Sequence, residues 1–238
     1  MNLLNKIAVV TGVSSGLGKA LATALIQKGA TVYGLARRRE KLEQLQSELG
    51  SKFFPVVLDI AQSIKIQEWI QSTFNKDFLP DLLINNAGIG GFAKIDEMPE
   101  EDWLAMIQTN INGMYFITKY LTPFFKQNNT ISHIINIGSI LGTMGRTEAA
   151  AYCTTKYGVN GFSEALFHEL RSFNIKVTVV NSGSIATDFF ANSGISPNEN
   201  MIHPEDLAQT IIHILETPDN MLINELTVRP LNANSVKK

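Results

Sequence analysis

Apolar positions along the chain follow two alternating patterns. Short β-branched runs, "KIAVVT", "TVYGLA", "FFPVVLD", "DLLIN", "HIINIG", "KVTVVNS" and "ELTVRP", are apolar at almost every position, as strands buried on both faces are. Between them lie "GLGKALATALIQKG", "REKLEQLQSELG", "IKIQEWIQSTF", "EEDWLAMIQTNINGMYFITKYLTPFF", "AAAYCTTKYGVNGFSEALFHELRSF" and "PEDLAQTIIHILE". Their apolar residues recur at spacings of three and four, which predicts amphipathic helices. Strands alternating with helices from end to end predict an α/β protein built on a doubly wound parallel sheet with helices on both faces. No Pro/Gly/Ser-rich linker interrupts the pattern, so residues 1–238 read as a single domain. The least regular stretch, Ser182 to Ile202, carries Gly, Asn, Ser and Pro at intervals and is expected to be a lid loop over a substrate.

Charge and cysteine content narrow the partners. Twenty basic residues oppose 22 acidic ones for a formal charge of -2, which gives no reason to expect a nucleic-acid partner. One cysteine excludes an intrachain disulfide and a cysteine-based zinc cluster, and the four histidines (133, 168, 203, 213) have no metal-ligand spacing. The first residues lack a signal-peptide pattern, and no segment is apolar for the roughly 18 residues a membrane span needs. The expectation is a soluble, unprocessed cytoplasmic protein with neither a metal nor a membrane partner.

"TGVSSGLG", Thr11 to Gly18, follows the first strand and opens the first helix. In that context Gly12 permits a tight turn, Gly16 close backbone approach and Gly18 close packing of helix on strand, and the helix N-terminus offers free N–H groups to a pyrophosphate. Isolated from its context, such a loop is also compatible with a purely structural turn. With it, the sheet reads as Rossmann-like, and Gly12, Ser14, Ser15, Gly16, Leu17 and Gly18 become candidate cofactor contacts. About 20 residues on, an NAD enzyme carries Asp or Glu for the ribose 2′-hydroxyl. Here "LARRREK" stands instead, so Arg37 and Arg38 are expected to bind the 2′-phosphate of NADP(H). The competing reading is a solvated helix start, with Arg39 and Glu43 paired one turn apart. Asp59, followed by Ile60, ends the third strand; it can meet the adenine amino group or cap the next turn.

"AYCTTKYGVN" sets Tyr152 and Lys156 four apart, on one face of a helix. A phenol titrates near pH 10 and is a poor base at neutrality. A cation within about 4–6 Å lowers that value by roughly 1–3 pH units, so Lys156 is expected to bring Tyr152 towards neutral. Ser139, in "NIGSI", stands just past the fifth strand at the same carboxyl edge.

Taken together, "TGVSSGLG", "NNAG" (Asn85 to Gly88), Asn110, Ser139 and "YCTTK" resemble, in order and spacing, the motifs of the short-chain dehydrogenase/reductase family, specifically its NADP-preferring oxidoreductases. The resemblance implies hydride transfer between a nicotinamide and a carbonyl or secondary alcohol. Tyr152 would be the general acid for reduction and the base for oxidation, and Ser139 would hydrogen-bond the reacting oxygen. Lys156 would bind the nicotinamide ribose and tune Tyr152, while Asn110 would hold a water linking Lys156 to solvent. It also implies that Asn86, Ala87 and Gly88 line the cofactor, with Gly183, Ile185 and Thr187 near the nicotinamide. Ser182 replaces the proline usual in the family, which alters the backbone constraint on that loop.

Tyr157, Cys153 and His203 are assigned packing, packing and capping roles. Substrate walls are expected from Ile89 to Ile95, from Leu141 to Ala150 and from the lid. Met144, Phe189 and Phe190 suit apolar groups, and Arg146 suits either a carboxylate or solvent. "INELTVRP" and "ARRREKLEQL" resemble oxidoreductases of small 3-hydroxy acids and diverse carbonyls. The alternatives are a 3-oxoacyl-carrier-protein reductase, a catalytically silent NADP-binding regulator and a structural module. Surplus apolar residues at Glu101 to Phe125 and Ala149 to Phe173 predict a homo-oligomer, a dimer or tetramer.

Overall fold

The computed structural model describes residues 1–187, 189 and 197–232. Each of the seven apolar runs forms a strand: β1 Ile7–Thr11, β2 Thr31–Ala36, β3 Phe53–Val57, β4 Leu82–Asn85, β5 Ser132–Ile137, β6 Ile175–Ser182 and β7 Glu225–Val228. They make one sheet in the order β3-β2-β1-β4-β5-β6-β7, and every neighbouring pair is parallel. The first three strands run outward in one direction and the chain then crosses to the other side of β1. Loops leaving β1 and β4 therefore diverge, opening a crevice at their carboxyl ends where ligands of such sheets bind.

The helices are α1 Gly16–Gln27, α2 Arg39–Leu49, α3 Ser63–Thr73, α4 Glu100–Ile107, α5 Met114–Phe125, α6 Ala150–Leu170 and α7 Pro204–Leu215. Side chains alternate across each strand, so Ala8 and Val10 of β1 join the core under α1, α2 and α7. Val9 joins the opposite core with α3, α5 and the end of α6. Both faces are thus covered. Full burial holds for β4, β5 and β6, whereas the edge strands β3 and β7 are partly exposed because each lacks a neighbour on one side. β3 also carries Pro55, which an edge position tolerates.

One helical prediction is corrected. The segment from Glu100 to Phe125 is not a single α-helix, because a π-helical turn at Gln108–Gly113 separates α4 from α5. Neighbouring contacts account for its position. Gly113 lies against Ile60, where an added Cβ would come within 2.8 Å of that side chain, and Gln108 donates to the Ala61 carbonyl at 2.9 Å. A wider turn admits both contacts while aiming Asn110 at the segment after β4; π turns are frequent at such functional places.

His203 occupies the N-cap position of α7 with Pro204 in the first turn, as expected, although its side chain makes no capping bond. Tyr157 departs from its assignment as a packed residue: it is 48% exposed on α6. Cys153 is buried and packs as expected.

Candidate active site

A cleft of about 830 Å³ runs along the carboxyl edge of the sheet, from the glycine loop and Arg37 and Arg38 at one end to Tyr152 and Phe189 at the other. Its floor depends on missing side chains. Gly12 and Gly16 adopt left-handed backbone at φ 73° and 54°; a Cβ on the first would stand 2.8 Å from Ala87 Cα, and on the second 2.9 Å from Thr187 Cγ2. Gly18 keeps the packing role expected of it, but not the cofactor contact. It does not line the cleft, and a methyl there would overlap the Gly12 carbonyl, so its role is packing. Ser15 makes no side-chain cap at the start of α1, leaving the first turn open to a ligand.

"NNAG" is fastened to the end of β1. Thr11 Oγ1 accepts the N–H groups of Asn86 and Ala87, each at 3.0 Å, and Asn86 Nδ2 donates to the Thr11 carbonyl at 2.9 Å. Asn86, Ala87 and Gly88 line the cleft, while Asn85 turns inward to Thr118 and Asn136 and supports the sheet.

At the distal end Arg38 reaches back over the glycine loop. Its Nη2 donates to Ser14 Oγ at 2.6 Å and Ser15 Oγ at 3.0 Å, and its Nε to Ser14 Oγ at 3.2 Å. Arg37 is exposed and also lines the cleft. The competing helix-surface reading suits Arg39, whose Nη1 lies 3.8 Å from Glu43. Asp59 caps the next turn, with Oδ1 accepting the Ala61 N–H at 2.9 Å, and the residue borders the cleft with Ile60.

The proximal end brings together Ser139, Tyr152 and Lys156, all buried and all bordering the cleft. Ser139 Oγ accepts the Leu141 N–H at 3.1 Å, so its own proton remains available to the Tyr152 phenol beside it. Lys156 Nζ lies 5.7 Å from the centre of the Tyr152 ring and donates to the Ile137 carbonyl at 2.8 Å.

Here the expected electrostatics are reversed. Burial raises the Tyr152 phenol above its ordinary value, against the opposing pull of the Ser139 hydroxyl. Burial also draws Lys156 down to about 8. Removing water penalises whichever form is charged, so both groups are driven towards neutrality and the lysine does not bring the phenol down.

Asn110 is held from two sides. It does not border the cleft: its Oδ1 accepts the Ile89 N–H at 2.9 Å, and its Nδ2 donates to the Ile89 carbonyl at 2.9 Å and Thr155 Oγ1 at 3.1 Å. With those partners the side chain anchors the segment after β4 to α6.

Beyond β6, Ser182 is the last strand residue, in register with Val228, and the Gly183 N–H donates to the Val228 carbonyl at 2.7 Å. The strand pairing, rather than a proline, sets the path of this loop up to Gly183. Gly183, Ile185 and Thr187 border the cleft. The expected lid is held at its base by the pairing of Ile185 with Ile202; residues 188 and 190–196, with Phe190 among them, lie outside the described residues. Phe189 and Phe92 place their rings 5.8 and 5.7 Å from that of Tyr152. Arg146 stacks 5.3 Å above Phe92. Arg229, which sequence reasoning did not single out, faces the same wall, with Nη2 3.8 Å from Met144 Sδ. Among the described residues neither guanidinium pairs with a carboxylate. Only the folded order of strands brings residue 229 beside residue 144.

The family model for short chain dehydrogenases matches residues 6–197. The chain belongs to that family. An uncharacterized oxidoreductase of Staphylococcus aureus is 33% identical over 233 residues, covering 96% of this chain and 99% of the relative. An oxidoreductase of Botryotinia fuckeliana is 34% identical over 191 residues, covering 80% and 69%. Among solved structures, the closed form of a serine dehydrogenase complexed with NADP+ superposes with a TM-score of 0.88 at 30% identity, covering 93% of this chain and 94% of the other. A 3-ketoacyl-(acyl-carrier-protein) reductase from Brucella melitensis complexed with NADH gives 0.85 at 27%, covering 96% and 98%. As a short chain dehydrogenase, the protein is an oxidoreductase acting on CH–OH and C=O groups with a nicotinamide cofactor. Among the described residues, no helix is long and apolar enough to cross a membrane.

Proposed function

We propose that this short chain dehydrogenase is an NADP(H)-dependent carbonyl reductase and alcohol dehydrogenase in which Tyr152 moves the proton. The observation that carries it is the convergence of buried Ser139, Tyr152 and Lys156 at one end of a cleft whose other end holds Arg37, Arg38 and Ser14. The bound nicotinamide would supply or accept the hydride. Ser139 and Tyr152 polarise the substrate oxygen with two O–H donors. Tyr152 gives its proton to that oxygen in reduction, which suits a phenol that burial keeps protonated, and takes one back in oxidation. Lys156 would hold the nicotinamide ribose, the open first turn of α1 the pyrophosphate, and Arg38 the 2′-phosphate, whose oxygens would replace the serine hydroxyls as its acceptors. Asn110 acts through Ile89 and Thr155, as an anchor.

Arg146 and Arg229, two guanidinium groups on the substrate wall with no carboxylate partner among the described residues, favour a small 3-hydroxy or 3-oxo acid. Likeness to the Brucella reductase supports a 3-oxoacyl thioester as the second reading. The test is NADPH and NADH oxidation against a carbonyl panel that includes a 3-oxo acid and an acetoacetyl thioester. NADPH should be preferred, with the preference reduced roughly tenfold or more in Arg38→Ala, as loss of a charge-assisted hydrogen bond implies. Tyr152→Phe should lower turnover about 10²–10⁴-fold. Undiminished turnover in Tyr152→Phe removes the mechanism, preference for NADH removes the Arg38 reading, and an unchanged KM for the acid in Arg146→Ala removes the carboxylate site.

Exposed Leu104 on α4, Tyr115 on α5 and Tyr157 on α6 support assembly into a dimer or tetramer through these helices. Light scattering that finds a monomer at micromolar concentration overturns that assignment.

A further inference from the structure

Two asparagines stand directly behind the reacting side chains. Asn181, fully buried in β6, accepts the Ser139 N–H on Oδ1 at 3.2 Å. Its Nδ2 donates to Asn160 Oδ1 at 2.9 Å and to Glu225 Oε1 at 3.1 Å. Asn160, one turn beyond Lys156 on α6, donates from Nδ2 to the Lys156 carbonyl at 3.2 Å and the Gly142 carbonyl at 3.0 Å. A continuous path of amide hydrogen bonds therefore joins the backbone of Ser139 to the backbone of Lys156, with branches to the loop after Ser139 and to β7.

Steric fit points the same way. A methyl on Gly138 would overlap Asn181 Oδ1, and one on Gly142 would overlap Asn160 Nδ2. The glycines on either side of the Ser139 turn are thus each opposed by one of these amides, and the turn is pressed against the pair with no intervening side chain. Ser139 itself is extended, at φ -161° and ψ 154°, on a segment separate from the helix that carries Tyr152 and Lys156. Its hydroxyl must meet the same substrate oxygen as the phenol, so the spacing of the two segments matters to a fraction of an ångström.

We infer that Asn181 and Asn160 are positioning residues that hold the Ser139 turn against α6, setting the Ser139 hydroxyl relative to Tyr152. The inference rests on the reading of Ser139 and Tyr152 as the groups that act on the substrate oxygen. An amide suits position 181 because it accepts on one side and donates twice on the other; aspartate would keep the Ser139 bond but set its second oxygen against Asn160 Oδ1 and Glu225.

The experiment measures kcat with 2,3-butanedione and NADPH, per NADPH site counted by fluorescence titration, for native protein, Asn181→Ala, Asn160→Ala and Tyr152→Phe. Asn160 is only partly buried, so its variant remains informative where Asn181→Ala fails to fold. For a displacement of the order of an ångström, kcat per site should fall roughly 10- to 100-fold in each folded asparagine variant, with the NADPH dissociation constant changed less than about twofold. A merely structural role lowers the melting temperature and the number of sites but leaves kcat per site intact, and that result overturns the inference. Tyr152→Phe separates the two claims. If it retains turnover, the reading of the reacting pair fails and the positioning role with it; if it is inactive while both asparagine variants match native kcat per site, the positioning role alone fails.

Discussion

The two ends of the parallel sheet both bury titratable groups, and they use them in opposite ways. At the amino end, His133 Nε2 lies 2.8 Å from Thr178 Oγ1, which itself donates to the Ile223 carbonyl at 2.6 Å. Thr178 has spent its proton, so Nε2 must carry the hydrogen and Nδ1 is a bare acceptor with no partner among the described residues. Lys176 donates to the carbonyls of Pro218 and Met221 at 2.8 and 2.6 Å. These bonds staple β5 and β6 to the segment between α7 and β7. At the carboxyl end, Ser139, Tyr152 and Lys156 are as deeply buried but border the cleft. Burial pulls His133 down to about 3 and Lys156 to about 8. A strongly perturbed residue thus stands remote from the cleft as well as beside it. A perturbed pKa locates a cost of burial; open space beside the group decides whether the proton can do chemistry.

That contrast can be broken most severely at Lys156. In Lys156→Met, turnover should fall about 10²–10⁴-fold while stability at pH 7 is unchanged or raised, because an ammonium that burial disfavours is removed. The pH dependence has a fixed sign. The folded value near 8 lies below the unfolded 10.5, so between them the unfolded chain binds more protons, and native protein gains stability relative to the variant as pH rises through that window. Denaturant midpoints at pH 7, 8.5 and 10 check it; if stability falls along with activity, Lys156 is a staple like Lys176.

A smaller effect, confined to stability, is expected at the other end. His133 titrates near 3 folded and 6.5 unfolded, so the native protein should lose up to about 1.4 kcal/mol for each pH unit below 6.5, and His133→Leu should show a shallower loss between pH 6.5 and 4. Turnover at pH 7.5 should be unaltered, since His133 does not border the cleft. Equal slopes for the two proteins, or a lost kcat in the variant, would erase the distinction between the two ends.

Much of this was legible in residue order. Continuous apolar runs marked all seven strands because parallel strands are covered on both sides, and the spacing of Tyr152 and Lys156 placed them on one helix face because helical period is a local property. The glycine loop was identified by the strand before it and the helix after it. Arg39 beside Glu43 was equally local. The π turn was not legible, since it answers to Ile60 and Ala61 pressing from another segment. Gly18 read as a cofactor contact, but the Gly12 carbonyl fills the space beside it. The bonds of the Asn110 side chain to Ile89 and Thr155 were not legible either, because both partners belong to other segments. Arg229, Asn160 and Asn181 carried no motif at all; their partners lie tens of residues away in sequence.

The sequence by itself determined the order of strands and helices, the single domain, the glycine-loop cradle and the identity of the three side chains at the cleft, because periodicity, turn chemistry and motif spacing are short-range. Tertiary structure alone decided which way those side chains titrate and what holds them. Burial depends on every element that excludes water from Tyr152 and Lys156, and in this fold that exclusion is the largest influence on both groups.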